Sequence, residues 1–456
     1  MKKTIKLLSL LMALLLVLGM FVGCKANPDE EEEADAEAQD APITVTVGVP
    51  VDPKDPEWSE LFGRWNDDFK MFYNCTVKYV KVPEEGTKAM KKFMRQVDSG
   101  KINCFFTERG EFIEKLMDDN SILSIKNIQG RFTSLMEETP EGIFSISEEK
   151  SMENYMYPLF GTFQGLYYNR TMLKANELAN PTSWENLLAN IAALKAKGIT
   201  PIAAGFADEG LEYFVEEMIM SEGGTAEHSY QPSFGVVSSW ERAVNDIKTL
   251  QSLGAFTPDC YNVSFETALQ DFLDGKAAMI VAPSTAFKGA LVDQTYTVGA
   301  DDVKVVGFPN TPTGKREEGA IIGRADYGIY VSNAGFNKKD ERYGDVIYEL
   351  MGSDYFGSGE FYEMFADNES TFCLVDGYYG DYLSDGTNLD DAKQSLAKKA
   401  TAADWTMRER FYTYDTTIAS FRKALTGGNL EESLLEATNA EIKAVEEENA
   451  KKKKKD

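Results

Sequence analysis

Strand patterns alternate with amphipathic helix patterns from residue 43 onwards, and this alternation constrains the fold more than any other feature of the sequence. The strand patterns alternate β-branched side chains, whereas the helix patterns repeat large apolar side chains at intervals of three and four residues. The first five predicted elements are strand 43–47, helix 58–72, strand 76–82, helix 90–97 and strand 102–106. An alternation of this kind predicts an α/β fold, in which helices cover a sheet.

The pattern continues in the second part of the chain, where the helix boundaries are clearer. The run Thr182-Ser-Trp-Glu185 has the form of a capping box, so we predict that a helix begins at Thr182 and ends near Gly198. Ser264 can cap another helix, which Gly275 ends. The further predicted elements are strand 199–204, helix 240–250, strand 277–282, helix 340–351 and helix 430–448.

The length and charge of the chain limit its organisation and its partners. A chain of 456 residues exceeds what one hydrophobic core usually serves, so we expect two lobes. There are 47 Lys and Arg residues against 74 Asp and Glu residues, and the formal net charge is -27. A negative field of this size repels phosphate backbones, which argues against nucleic acid as a partner.

The N-terminus has the features of an export signal. Three lysines precede an apolar stretch that ends in Phe21-Val22-Gly23-Cys24. A small residue directly before a cysteine at this place resembles a bacterial lipobox, which implies cleavage before Cys24 and acylation of its thiol and amino group. We therefore expect residues 1–23 to be a lipoprotein signal peptide and Cys24 to anchor the chain at the extracytoplasmic face of the cell membrane. A secretory signal with an incidental cysteine is the alternative.

Charged segments flank the part of the chain that is expected to fold. Residues 24–41 are rich in Asp and Glu and lack large apolar side chains, so they are predicted to form a solvated acidic tether. The basic tail 449–456 is predicted to be a solvated helix end whose lysines complement the helix dipole. Contact of this tail with cell-wall anions is the alternative.

The sequence does not support metal or cofactor chemistry. His228 is the only histidine, and none of the five cysteines has the spacing of a zinc site. We therefore predict that the protein uses no metal and no cofactor. Four cysteines are expected to be small buried side chains, although export leaves one disulfide open, such as Cys75–Cys104. These four are Cys75, Cys104, Cys260 and Cys373.

Several motifs occur in an order that is typical of a known family. They are PLFGTFQGLYYN at 158–169, TMLK at 171–174, PTSWE at 181–185, KAKGITPIAA at 195–204, DFLDGKAAM at 271–279, VVGFP at 305–309 and ADYGIYVS at 325–332. This ordered set resembles family 1 of the extracellular solute-binding proteins, the maltodextrin-type binding components of ABC importers. The resemblance covers roughly residues 43–448.

The resemblance implies a periplasmic-binding-protein-like fold of type II, in which two α/β lobes are joined by crossing hinge strands. The N-terminal lobe would hold 43–157 and 284–324, and the C-terminal lobe would hold 158–283 and 325–448. Such lobes close on a solute by a hinge motion, and the importer can distinguish the closed state from the open one. The expected partners are therefore a small solute and the permease subunits of an ABC importer.

The first candidate ligand contacts follow strands of the N-terminal lobe, because open α/β sheets bind ligands beyond the carboxyl ends of their strands. Phe106, Glu108 and Arg109 match the family position where an aromatic ring, an acid and an arginine meet sugar hydroxyls. Carboxylate and guanidinium groups offer paired acceptors and donors to a polyol, although Glu108 and Arg109 could instead pair with each other. Asp52 and Trp58 follow the first strand, and Trp58 could equally begin the apolar stripe of a helix.

Further candidates lie where the chain is expected to cross between the lobes or to leave strands of the second lobe. Phe163 and Gln164 occupy the crossover turn, and Ser284 ends a crossing strand; hinge packing or a turn is the alternative role for these residues. The others follow strand 199–204, precede the return strand or offer an aromatic platform, and they are Phe206, Asp208, Asp326, Tyr327 and Trp405.

The expected ligand is a mono- or oligosaccharide. Pyranose C–H groups pack against aromatic faces, and a content of 27 Phe and 21 Tyr with only five Trp favours a short saccharide over a long glucan. A peptide or polyamine ligand, or a role as a surface sensor, is the alternative that so acidic a chain leaves open. We predict no enzyme activity, because no nucleophile motif surrounds His228 and no motif places a pair of catalytic carboxylates. An extracellular glycoside-active enzyme is the least favoured interpretation.

Overall fold

The structure, a computed structural model, describes part of the chain in detail. The described residues are 41–132, 154–228, 232–287, 297–299, 302–316, 322–352, 354–366, 372–373 and 411–452. Contacts divide the chain into two units, residues 1–43 and residues 44–456, and the elements below belong to the second unit apart from the first residue of β1. The signal peptide, Cys24, nearly all of the acidic tether, Trp405 and residues 453–456 lie outside the described residues.

The first group of elements follows the patterns seen in the sequence. It consists of β1 (Ile43–Val49), α1 (Pro56–Tyr73), β2 (Cys75–Lys81), α2 (Lys88–Asp98), β3 (Cys104–Glu108), α3 (Glu111–Asp118), α4 (Ile125–Gln129) and β4 (Met156–Asn169). Pro56 lies in the first turn of α1, where its missing N–H is not needed, and Asn74 ends the helix in a left-handed conformation. Trp58, Trp65 and Phe69 lie on the buried face of α1, so the apolar stripe of the sequence becomes core.

The second group comprises α5 (Arg170–Ala175), α6 (Trp184–Ala196), β5 (Thr200–Ala203), α7 (Glu209–His228), α8 (Ser238–Leu253), α9 (Phe265–Leu273) and β6 (Ala277–Pro283). Helix α6 begins later than predicted, because Ser183 rather than Thr182 is its N-cap. The Ser183 hydroxyl accepts a hydrogen bond from the N–H of Asn186, whereas the N–H of Thr182 donates to Asn180 in the preceding turn. The predicted cap at Ser264 is confirmed, since its hydroxyl accepts from the N–H of Thr267.

The last group of described elements contains three strands and five helices. They are β7 (Val303–Val306), β8 (Ile322–Val331), α10 (Asn333–Phe336), α11 (Arg342–Met351), α12 (Gly359–Ala366), β9 (Phe372–Cys373), α13 (Tyr414–Leu425) and α14 (Leu430–Lys452). The helices predicted at 340–351 and 430–448 are confirmed as α11 and α14. The fold class predicted from the sequence, α/β, is therefore confirmed.

Two long strands, β4 and β8, join the first group of strands to the second. The sheet has the order β2-β1-β3-β8-β4-β6-β5, with β1 and β3 parallel and β5 and β6 parallel. β4 is buried at all 14 positions and runs antiparallel to β8 from Met156–Tyr330 to Gln164–Ile322. β8 pairs with β3 on its other side, and the far half of β4 pairs with β6. This stretch of β4 and β8, which we call the strand crossing, positions the candidate site.

The strand pairs favour a division into lobes that differs from the sequence-based one in its later segments. β7, within 284–324, pairs with the far half of β4, and α10 and α11, within 325–448, pack on α2 and α1. We therefore propose that residues 302–316 belong to the second lobe and residues 332–351 to the first. Helices α13 and α14 pack on α8, so we assign them to the second lobe. The division as a whole stays a prediction.

Three cysteines of the chain are free. Cys75, Cys104 and Cys260 are buried, and the disulfide that the sequence left open between Cys75 and Cys104 is not formed. Cys75 lies on β2 and Cys104 lies on β3, and the strand β1 separates these two strands in the sheet. Burial raises the pKa of the Cys104 thiol to about 12, so the group stays protonated and packs as a small apolar side chain. The side chain of Cys373 lies outside the described residues.

Candidate ligand-binding site

Polar groups from three strands, β3, β4 and β8, lie at the first-lobe end of the strand crossing. Glu108, the last residue of β3, lies opposite Tyr327 of β8, and the backbone N–H of Arg109 donates to the carbonyl of Asp326 at 3.0 Å. The hydroxyl of Thr162 on β4 donates to the Asp326 carboxylate at 2.9 Å. Glu108 is exposed and Arg109 is half-buried, whereas Asp326 is buried. An accessible acid and an arginine thus lie at the end of β3, next to the part of β8 that carries a fixed carboxylate.

The second-lobe side of the strand crossing adds a hydroxyl and an amide. The half-buried Ser284, directly after β6, accepts a hydrogen bond from the N–H of Phe163 at 3.2 Å. The side-chain nitrogen of Gln164 donates to the carbonyl of Tyr213 on α7 at 2.8 Å. Within the described part of the chain, the side-chain oxygen of Gln164 is buried and has no hydrogen-bond partner. A buried carbonyl oxygen without a donor is unusual, so a bound donor group would stabilise it.

The structure therefore brings together candidates that are far apart in the sequence. The residues that meet at the strand crossing are Phe106, Glu108, Arg109, Phe163, Gln164, Ser284, Asp326 and Tyr327. They lie on β4 and β8, and on β3 and β6 or directly after these strands. The prediction that Phe163 and Gln164 occupy a crossover turn was wrong, because both lie inside the continuous strand β4. Their roles as ligand contacts stay predictions.

Phe106 and Trp58 are packed more tightly than a ligand platform requires. Phe106 is fully buried, with Tyr327 stacked at 5.9 Å and Phe356 stacked at 5.5 Å between ring centroids. Trp58 is 7% exposed and contacts Phe62 and Phe361. Both rings therefore contribute to the core of the first lobe, the alternative that the sequence left open for Trp58.

Three other candidates lie in positions with a local structural role. The carboxylate of Asp52 accepts from the N–H of Lys54 in a turn, and Asp208 accepts from the N–H of Phe265 at 2.7 Å at the start of α9. Phe206 is buried against Phe214, Phe256 and Tyr261. The structure does not bring these three side chains to the strand crossing by any described contact, and Trp405 lies outside the described residues.

A group of buried charges on α7 escaped the sequence analysis. Glu217 is fully buried and forms an ion pair of 2.8 Å with Arg316, whose guanidinium also donates to the carbonyl of Phe308. Glu217 also lies 3.5 Å from the side-chain nitrogen of Gln164, so the pair adjoins the strand crossing. The available signal was a pair of acids, Glu216 and Glu217, inside the otherwise apolar run 213–220, because acids that are buried there require partners.

A second buried carboxylate on α7 holds the segment after β7. Glu222 is fully buried, pairs with Arg242 at 2.9 Å, and accepts from the hydroxyls of Thr311 and Thr313. Burial, followed by the charge of Glu222, raises the pKa of the Asp246 carboxyl to about 7. These contacts hold residues 308–316 against α7. They also leave Asp246 with a pKa close to neutral pH.

Comparison with solved structures places this architecture among bacterial solute-binding proteins. The chain is similar to the bacterial solute receptor AcbH, with a TM-score of 0.65, 12% identity and coverage of 90% of this chain and 98% of that one. AcbH is described as having an exclusive preference for β-D-galactopyranose. It is similar to the apo form of RafE from Streptococcus pneumoniae, with a TM-score of 0.63, 14% identity and coverage of 92% and 99%. A probable secreted solute-binding lipoprotein from Streptomyces coelicolor gives a TM-score of 0.63, 14% identity and coverage of 88% and 98%.

The family assignment rests on the sequence as well as on the fold. The model of the bacterial extracellular solute-binding protein family matches residues 48–341, and the chain belongs to that family. None of the curated proteins compared matches the chain. The family is extracytoplasmic, and the family membership that the sequence motifs predicted is confirmed. The maltodextrin-type specificity stays a prediction.

Two further observations concern the whole of the described chain. Within it, no helix has the length and apolar character needed to cross a membrane. Nor does any group of three or more His, Cys, Asp or Glu side chains in the described ranges have the geometry of a metal site.

Proposed function

We propose that the protein captures a mono- or oligosaccharide at the strand crossing and delivers it to the permease of an ABC importer without changing it covalently. The observation that carries the proposal is the place of Glu108 and Arg109 at the end of β3, where the backbone lies next to Asp326 and Tyr327 of β8. A carboxylate and a guanidinium together accept from and donate to neighbouring hydroxyl groups, which matches the alternating donors and acceptors of a sugar.

The relatives support a sugar as the ligand class. AcbH is described as a receptor for β-D-galactopyranose, and RafE has also been solved in complex with raffinose. Their identity to this chain is low, so the ligand of this chain follows from its own site rather than from theirs. That site lies at the carboxyl ends of the parallel strands β1 and β3, where open α/β sheets bind ligands.

Hinge closure is the proposed mechanism of capture. Since β4 and β8 run through the strand crossing, small backbone rotations there would move the two groups of strands relative to each other. A sugar that contacts Arg109 on one side and Ser284 on the other gains contacts only when the lobes close. The difference in contacts between the open and closed states is what shifts the population.

The membrane anchor is a further part of the proposal. Cleavage before Cys24 and its acylation would tie the chain to the extracytoplasmic face of the cell membrane, and the acidic residues 24–41 would hold the folded part away from the surface. A tethered receptor stays close to the permease, which raises its effective concentration there.

A cationic ligand, such as a polyamine, is the second candidate. The net charge of -27 and the two acids at the strand crossing, Glu108 and Asp326, favour it. Arg109 disfavours it, because a guanidinium in the site repels an ammonium group.

A ligand screen tests the proposal and separates the two candidates. Full-length protein, solubilised in a detergent without a sugar headgroup, is heated with single neutral sugars or single amines. A ligand at 100 times its Kd adds about 2.7 kcal/mol to the free energy of unfolding, which raises the melting temperature measurably. We expect a neutral sugar to stabilise the protein and to be recovered intact. Stabilisation by amines alone would contradict the sugar assignment, and consumption of the sugar would contradict a binding function.

An arginine substitution then tests the site. Arg109→Ala should weaken sugar binding at least tenfold while leaving the melting temperature of the free protein unchanged. Arg170→Ala is the matched control, because Arg170 is exposed at the start of α5, six residues beyond Gln164 in the chain. Equal affinities for the two variants would remove Arg109 from the site.

A further inference from the structure

Helix α12 covers the aromatic faces at the strand crossing. Phe365 lies 5.0 Å from Tyr327, 5.1 Å from Phe106 and 5.3 Å from Phe160, measured between ring centroids. It is stacked on Phe160, with 25° between the ring planes, and is itself 2% exposed. Phe361 adds contacts to Phe106 and Phe160 at 5.3 and 5.9 Å. The rings that could have stacked on a sugar are thus in contact with rings of the chain itself.

The helix is held in this place from both sides. Phe361 packs against Trp58 and Trp65, at 5.6 and 5.7 Å, and against Phe356 at 5.0 Å. After the helix, β9 pairs with β4 at Phe160 and Gly161, directly at the strand crossing. A buried helix with aromatic contacts on one side and a strand pair shortly after it is part of the wall of the site rather than a loose cover.

The groups that remain accessible beside this wall are polar. Glu108 is exposed, and Arg109 and Ser284 are half-buried, whereas Phe106 and Phe160 are fully buried. Tyr327 retains 8% of its surface. A ligand therefore meets hydrogen-bonding groups and the edge of one ring, but no free aromatic face from Phe106, Phe160 or Tyr327.

We infer that α12 makes the site selective for a single sugar ring, because Phe361 and Phe365 fill the aromatic surface on which a second ring would stack. The inference rests on the proposed function, since it concerns the size of the same ligand. In this proposal one ring bonds to Glu108 and Arg109 at the end of β3, and reaches Ser284 only when the lobes have closed. A longer saccharide gains nothing from the filled surface and must leave its further rings in solvent or displace a buried helix. Phe365 is thus a specificity-determining residue, because it lies nearest to Tyr327.

The test compares saccharides of increasing length. Calorimetry on the full-length protein, in detergent without a sugar headgroup, measures the Kd of glucose, galactose and xylose and of a disaccharide and a trisaccharide containing each. We expect the tightest ligand to be a monosaccharide, at least tenfold tighter than the corresponding trisaccharide. Phe365→Ala should reduce this ratio at least tenfold by opening space beside Phe160 and Tyr327.

Phe356→Ala is the matched control. Phe356 is as buried as Phe365 and belongs to the same aromatic cluster, but its recorded ring contacts are Trp65, Phe106 and Phe361, away from Phe160 and Tyr327. It should lower stability without changing the length ratio. If Phe365→Ala does not fold, Phe365→Leu, which keeps an apolar side chain but removes the ring, replaces it.

The outcomes separate the inference from the proposed function. A wild-type protein that binds a trisaccharide as tightly as the monosaccharide would overturn the inference and leave sugar binding intact. Equal length ratios in the Phe365 and Phe356 variants would overturn it as well. Binding of amines but of no sugar in the series would overturn the proposed function itself, and the inference with it.

Discussion

Replacing Glu217 by glutamine removes the charge from one partner of a buried ion pair. Glu217 and Arg316 lie 2.8 Å apart, and their side chains are 0% and 3% exposed. In the variant the guanidinium of Arg316 stays buried with the carbonyl of Phe308 as a neutral acceptor. Because breaking one partner of a buried ion pair removes much of the compensation for a desolvated guanidinium, we expect Glu217→Gln to lower the free energy of unfolding by about 3–5 kcal/mol.

The assay is urea denaturation followed by fluorescence, with a double-mutant cycle. Adding Arg316→Met to Glu217→Gln removes the buried guanidinium as well, so the double variant should be more stable than Glu217→Gln alone. The matched control is the surface pair of Lys423 and Glu436, which lie at a similar separation of 2.9 Å but are each 56% exposed. Glu436→Gln should change stability by only about 0–1 kcal/mol. Equal losses in the buried and exposed pairs, or an additive double variant, would refute the reasoning.

Three further predictions concern pH, capping and anchoring. The pKa of the Asp246 carboxyl is raised to about 7, so protonation of this group stabilises the fold fully below about pH 4, and this stabilisation is lost as the pH rises through about 7. Asp246→Asn should therefore have a higher denaturation midpoint than the wild type at pH 8 but not at pH 5. Parallel pH curves for the two proteins would contradict this. Asp208→Ala should lower stability by about 1 kcal/mol through the lost bond to the N–H of Phe265, with unchanged sugar affinity; a tenfold rise in Kd would instead place Asp208 in the site. Cys24→Ser should move the protein from the membrane fraction to the soluble fraction of cells, and continued membrane association would argue against acylation.

The fold followed from the sequence because its elements have local signals. The apolar stripe of α1, the hydroxyl that caps α9 at Ser264 and the buried run of β6 are each visible in a few neighbouring residues. The crossing strands were predicted from the order of the motifs, which resembles that of the solute-binding family. The one-residue error at Thr182 shows the limit of such signals, because two adjacent hydroxyls look equivalent until the backbone is known.

The site was harder to foresee because its contacts join distant segments. Phe106 ends a strand beside polar residues, which suggested a ligand platform, but the rings that cover it come from α12, far along the chain. The partner of Glu217 lies 99 residues away at Arg316. Asp208 follows a strand, as ligand residues do, yet its carboxylate bonds to the start of α9. In each case the sequence specified the chemical group but not its partner.

The central claim is that two lobes close on a sugar by bending at the strand crossing. Small-angle X-ray scattering of the full-length protein, with and without a saturating concentration of the sugar that stabilises it most, measures this directly. The account predicts a smaller radius of gyration with the sugar bound. For Arg109→Ala, it predicts an unchanged radius of gyration at a sugar concentration that saturates the wild type but is too low to occupy the weakened site. Identical scattering curves for the free and the fully sugar-bound protein would contradict it.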